Sequence, residues 1–126
     1  MATKHDPEKT NTSIGLFGER VIAQFLRSNG AKILDRNWRI KDGEIDIVAR
    51  HDSGTIAFVE VKTRSSLAFG HPLESISSEK SQRLQRLALG WLAAHHCLGV
   101  DYQIDCAAVL LGKPGEHTIE YRANVL

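Results

Sequence analysis

No run in the chain approaches the ~20 apolar residues that a membrane-spanning helix needs. The first residues, Met1 to Thr12, are polar and lack the apolar core of a signal peptide. Charge of one sign is not in excess: the formal net charge is +1, so any basic surface must be local rather than global. Cysteine is scarce. Cys97 and Cys106 form no close metal or redox motif, and two unclustered cysteines are expected to be reduced core thiols, which suits a cytoplasmic protein. There is no internal repeat and no linker. With 126 residues there is room for one domain with a real core, but not for two. The expectation is a disordered tail over residues 1–12 and a single domain over 13–126.

What is present centres on Gly43 to Arg64. Two β-rich runs, Gly43–Arg50 and Thr55–Arg64, flank Asp52-Ser53-Gly54. A three-residue loop with glycine in the left-handed position is a common hairpin connection. It pairs His51 with Thr55, and so sets Ile47 against Val59, Ala49 against Ala57, Asp46 against Glu60 and Glu44 against Lys62. One face is apolar (Ile45, Ile47, Val59, Val61). The other carries Glu44, Asp46, Glu60 and Lys62, with Val48 and Phe58 beyond. Carboxylates ~5 Å apart, at an effective dielectric of ~20, repel by roughly 3 kcal/mol. A divalent cation between them would turn that repulsion into a ligand pair. Hard oxygen ligands suit Mg²⁺, which binds through one or two carboxylates and keeps several waters. Glu60 and Lys62, two apart on a strand, share a face.

The rest of the chain frames this hairpin. Thr12 or Ser13 can cap a helix running to about Ser28, with Ile14, Phe17, Val21, Ile22, Phe25 and Leu26 as its apolar stripe. Gly15 and Gly18 are costly there and imply close approach of another backbone. Glu19 borders the stripe. The plainer reading is a solvated glutamate; the functional one is a third carboxylate leaning over the hairpin. Ala31–Lys41 reads as a strand whose Arg36, Arg39 and Lys41 are either a solvated edge or phosphate contacts. Ser65–Ser75 is an irregular loop containing His71. Ser77 or Ser78 caps a second helix, extending to about Leu98 and stopped by Gly99. Lys80 lies on its apolar side a turn before the core residues begin, while Arg83 and Arg86 turn outward. The His95-His96-Cys97 cluster invites a zinc reading, but consecutive helical positions point different ways and no fourth ligand is evident. Asp101–Leu111 and Thr118–Arg122 complete five strands. Helices flanking a mixed sheet in the order α-β-β-β-α-β-β give an α/β sandwich.

Asp46 with Glu60-Val61-Lys62 resembles the core of PD-(D/E)XK nucleases. The surroundings narrow the match. Gly15-x-x-Gly18-Glu19, Phe25-Leu26, Gly30, Arg36-Asn37, Gly43-Glu44-Ile45-Asp46, Phe58 to Arg64, Gly70, Pro72, Lys80, Arg83 and Trp91-Leu92 look like the bacterial YraN family of predicted endonucleases. More distantly the chain is similar to archaeal Holliday junction resolvases. The motif's proline is absent, with Ile45 before Asp46. The resemblance implies a restriction-endonuclease-like fold and phosphodiester cleavage dependent on Mg²⁺, for which Mn²⁺ can substitute. Asp46, Glu60 and the Val61 carbonyl would hold the metal, Lys62 would orient the water, and Glu19 would help place the metal or its waters. Arg64, Lys80 and Arg83 are candidate nucleic-acid contacts. DNA, structured or single-stranded, is the expected partner, with no membrane and with a homodimer left open. No recognition helix or base-reading motif is visible, which favours shape over sequence as the cue. The alternative is a nucleic-acid-binding or assembly module that keeps the nuclease fold without turnover. A third reading, a structural domain with paired surface charges, must explain Asp46 against Glu60 without a cation.

Overall fold

The computed structural model describes residues 12–65, 73 and 76–126. The expected tail over residues 1–12 therefore lies outside them apart from Thr12, and so do Gly70, His71 and Pro72. The order is α1 (Thr12–Ser28), β1 (Lys32–Ile40), β2 (Gly43–Arg50), β3 (Ile56–Arg64), α2 (Ser78–Ala94), β4 (Tyr102–Leu111) and β5 (His117–Arg122). The strands form one sheet in the order β1-β2-β3-β4-β5. Neighbours are antiparallel except β3 and β4, which are parallel. A parallel pair cannot be closed by a hairpin, and α2 is the crossover. This is the α/β mixed sheet with two helices that the sequence order predicts.

Alternation along the strands sorts the core into two layers. Ile47, Ala49, Ala57, Val59, Ala107 and Val109 pack against Ile22, Ala23 and Leu26 of α1. Val48, Ile56, Phe58 and Ile104 pack against Leu84, Leu87, Ala88, Trp91 and Leu92 of α2. Both faces of β3 are thus covered, which is why its first half reads as a continuous apolar run. The hairpin turn forms as its chemistry dictates: Gly54 has φ +94°, its N–H donates to the His51 carbonyl at 2.9 Å, and the His51 N–H donates to Thr55 at 3.0 Å.

The structure accounts for one of the two glycines in α1. A Cβ on Gly18 would lie 1.8 Å from Thr63 Oγ1, so the close approach expected here is to a β3 side chain rather than to backbone. Gly15 faces open space, and nothing in the structure explains it.

The second helix is shorter than its apolar period suggests. It ends at Ala94 rather than near Leu98, which is exposed. His96 takes the left-handed conformation at φ +57°. Its N–H reaches the Ala93 carbonyl at 3.2 Å, and the Cys97 N–H reaches Leu92 at 2.7 Å. This is a Schellman ending, with histidine where glycine is usual. His95 is held by Trp91: their rings stack with centroids 4.0 Å apart, and His95 Nδ1 lies 2.8 Å from the Trp91 carbonyl oxygen. Trp91 Nε1 in turn donates to Asp35 Oδ2 at 3.0 Å, tying the helix end to β1.

Candidate functional site

The β2–β3 ladder has the register set by the turn, with Ile47 opposite Val59 and Ala49 opposite Ala57. It stops at Ile47. The expected ladder pairs Asp46–Glu60 and Glu44–Lys62 lie beyond that stop. The reason is local: Asp46 Oδ2 accepts the Val61 N–H at 2.8 Å, so a side chain takes the place of a ladder carbonyl. The strand also turns over at this point. Ile45 packs on the α2 side although Ile47 packs on the α1 side, and residues two apart in a regular strand would share a face. Asp46 is buried, at 6% exposure.

The splayed end of the hairpin leaves a narrow cleft lined by Glu44, Ile45, Asp46, Phe58, Val59, Glu60, Leu84 and Ile104. Asp46 and Glu60 therefore share one cavity wall, floored by apolar groups from β4 and α2. Glu44 leans the other way as well: Arg39 of β1 is its ladder partner, and Arg39 Nε lies 2.9 Å from Glu44 Oε2. With Arg39 mostly exposed, that pair contributes little to stability.

Glu60 meets α2. Lys80 Nζ is 2.7 Å from Glu60 Oε2, and the two side chains are 21% and 19% exposed. Lys80, expected among the nucleic-acid contacts, thus points inward to a carboxylate. Lys62 follows Glu60 on the same face and is opposite Ala108 of β4. Cys106, opposite Glu60 in the parallel ladder, senses this group of charges. Burial, and then the Glu60 carboxylate, push its thiol up to about 11, while Lys62 and Lys80 pull the other way. It is a protonated core thiol, as its isolation in the sequence suggests. Arg64 pairs with Leu110, and its Nε and Nη1 are screened from solvent. Arg83 is exposed on α2, with its Cδ alongside Gly43 at the entrance to β2. Arg86, which turns outward as expected, pairs with Asp42 at 2.9 Å.

Glu19 is half-buried on α1, next to the Gly18–Thr63 contact, with Oε1 screened from solvent. It approaches β3 from the side opposite α2 and is not among the residues lining the Asp46–Glu60 cleft. Among the described residues no three His, Cys, Asp or Glu side chains gather as a metal-holding group. Mg²⁺ needs only one or two carboxylates and supplies the rest of its shell with water. The pair on the cleft wall is a donor set of that size and hardness.

One buried carboxylate was not anticipated. Asp105 of β4 has no solvent exposure. Its Oδ1 accepts Gln103 Nε2 at 2.9 Å and the Asn124 N–H at 2.8 Å, and its Oδ2 accepts the Tyr121 hydroxyl. Burial, then its bond to Asp105, raise the Tyr121 phenol well above its ordinary range. In the sequence, Asp105 reads as the outward member of an alternating strand. The apolar run that begins right after it was the available signal.

Fold and cleft together define a small α/β protein with a five-stranded mixed sheet, helices on both faces and carboxylates from two adjacent strands at one cavity. The family model described as Uncharacterised protein family UPF0102 matches residues 18–109, and the chain belongs to that family, the one that the sequence resembles under the name YraN. A UPF0102 protein of Beutenbergia cavernae is 47% identical over 117 residues, covering 93% of this chain and 98% of that one. One from Acidothermus cellulolyticus is 44% identical over 119 residues, covering 86% and 89%. Among solved structures, an EndoMS–dsDNA2 complex is similar over 69% of this chain and 34% of that one, at 19% identity and a TM-score of 0.41. Among the described residues no helix is long and apolar enough to cross a membrane.

Proposed function

We propose that this chain is a Mg²⁺-dependent endonuclease hydrolysing phosphodiester bonds in DNA, with branched or single-stranded DNA as the substrate class and Mn²⁺ able to replace Mg²⁺. The observation that carries the reading is the Asp46–Val61 bond. It interrupts a well-formed hairpin to bring a buried carboxylate from β2 beside Glu60 on the wall of one cleft. A strand pair built for stability alone would continue its ladder and keep like charges apart.

In this reading Asp46 and Glu60 hold the cation, with the Val61 carbonyl as a further ligand. When bound, the cation supplies Lewis-acid polarisation of a phosphoryl oxygen. Lys62, on the same strand face as Glu60, orients the attacking water and offsets negative charge as it grows on the phosphate. Arg83, exposed on α2, supplies a contact to the nucleic-acid backbone, a term that falls with added salt. With a net charge of +1, any nucleic-acid contact must come from a local basic surface.

The test is cleavage of a panel of labelled DNAs (duplex, flap, four-way junction, single strand) with Mg²⁺ or Mn²⁺. Asp46→Ala and Lys62→Ala are each expected to lower the rate by about 10²–10³-fold while the fold persists by circular dichroism. If both variants cut as well as the parent, the site assignment is wrong. Salt-dependent DNA binding without turnover on any substrate would instead identify a binding module.

A further inference from the structure

Lys80 occupies a position that helix physics disfavours. Ser77 is the N-cap of α2, accepting the Lys80 N–H at 3.2 Å, so Lys80 is the third residue of the helix. That position of a capping box normally holds glutamate or glutamine, whose side chain reaches back to the cap. A cation in the first turn also opposes the positive end of the helix dipole. Burial adds a second cost. The Lys80–Glu60 pair is four-fifths withdrawn from water, and desolvation of both ions offsets most of their attraction. Neither the helix position nor burial of the pair by itself favours a lysine here, but with Glu60 fixed on the cleft wall its removal would leave that carboxylate uncompensated. Its reach to Glu60 Oε2, at 2.7 Å, is what the arrangement achieves.

We infer that Lys80 is a positioning residue for the metal ligand Glu60: its ammonium holds the carboxylate in the metal-free protein and competes with the incoming divalent cation for it. This inference rests on the metal site proposed above. In the metal-free state Lys80 offsets the charge that Asp46 and Glu60 place on one cleft wall, so the hairpin need not bear that repulsion unaided. Divalent binding then requires the ammonium to release Glu60. The released charge stays at the first turn of α2, at the edge of the cleft, where a phosphate would lie. Metal affinity is thereby set lower than the two carboxylates alone would give, and the fold stays intact without metal.

The experiment is titration calorimetry of the whole chain with Mn²⁺, comparing the parent with Lys80→Gln, Lys80→Arg and Glu60→Gln, alongside thermal melts in chelator. Lys80→Gln is expected to bind Mn²⁺ about tenfold more tightly than the parent, because one positive charge beside the cation is gone. The same variant should melt below the parent in chelator and regain the difference with Mn²⁺. Lys80→Arg, which keeps the charge, should bind Mn²⁺ as the parent does. An affinity for Lys80→Gln equal to or weaker than that of the parent overturns the competition while leaving the metal site standing, provided Glu60→Gln still abolishes binding. A parent that binds no Mn²⁺ overturns both readings. Should Lys80→Gln fail to fold, Lys80→Met, which keeps the length of the stem, replaces it in the same comparison.

Discussion

Asp46 and Asp105 are both buried carboxylates in strands, yet they do different things because of what surrounds them. Asp105 is enclosed by three donors from β4, β5 and the segment after it, which makes it a fastener. Asp46 stands at a cavity wall and accepts the Val61 N–H from the strand that carries Glu60. Removing one donor from a buried carboxylate costs about 1–3 kcal/mol, so Tyr121→Phe should lower stability by that amount at neutral pH in chemical denaturation. Its pH dependence has a definite sign. The folded phenol titrates above its ordinary value near 10. As pH rises past 10 the unfolded chain loses its proton first, the native state holds more protons, and stability falls. Melting temperatures measured from about pH 9 to 11 should therefore decline more steeply for the parent than for Tyr121→Phe. At this scale the turn chemistry made the register readable as far as Ile47 opposite Val59, whereas the pairings expected for Asp46 with Glu60 and Glu44 with Lys62 do not form, because the Asp46 side chain takes the Val61 N–H. Asp105 was not readable, because alternation assigns it outward and only the folded return of Tyr121 and Asn124 encloses it.

The elements follow local chemistry closely where a short-range signal decides them. Asp52-Ser53-Gly54 sets the hairpin, and Ser77 sets the start of α2. The end of α2 is different. Leu98 continues the apolar period and Gly99 offers a stop, but stacking of His95 on Trp91 and the left-handed His96 close the helix earlier. The contact of α1 with β3 likewise depends on a distant residue, since the reason for Gly18 is the hydroxyl of Thr63. Gly18→Ala should cost about 1–3 kcal/mol through overpacking. Combining it with Thr63→Ala, which removes the obstructing oxygen, should recover part of that loss. The coupling in a double-mutant cycle, read by urea unfolding, should exceed about 0.5 kcal/mol. A purely additive result would mean that α1 shifts away from β3 without penalty. The same contact sets how near Glu19 comes to the sheet.

At the scale of the molecule, helix and strand order were legible because periodicity changes cleanly from 3.6 to 2 along the chain. Which strands adjoin across the crossover was less so, because that depends on how α2 carries the chain back to the sheet. The parallel ladder joins Ile56 to Tyr102 and Arg64 to Leu110 across the whole length of α2. This has a kinetic consequence. Contacts between sequence neighbours close cheap loops and form early, whereas distant pairings must first overcome chain entropy. The three-strand meander can bring Asp46 to Val61 by itself, but the enclosure of Glu60 by Cys106 and Lys80 must wait for the crossover to dock. Folding-rate measurements on Val59→Ala should give a φ-value well above that of Ile104→Ala. The cleft would then be an early scaffold completed late, and a nascent chain would carry its two carboxylates for some time before the lysine that balances them arrives.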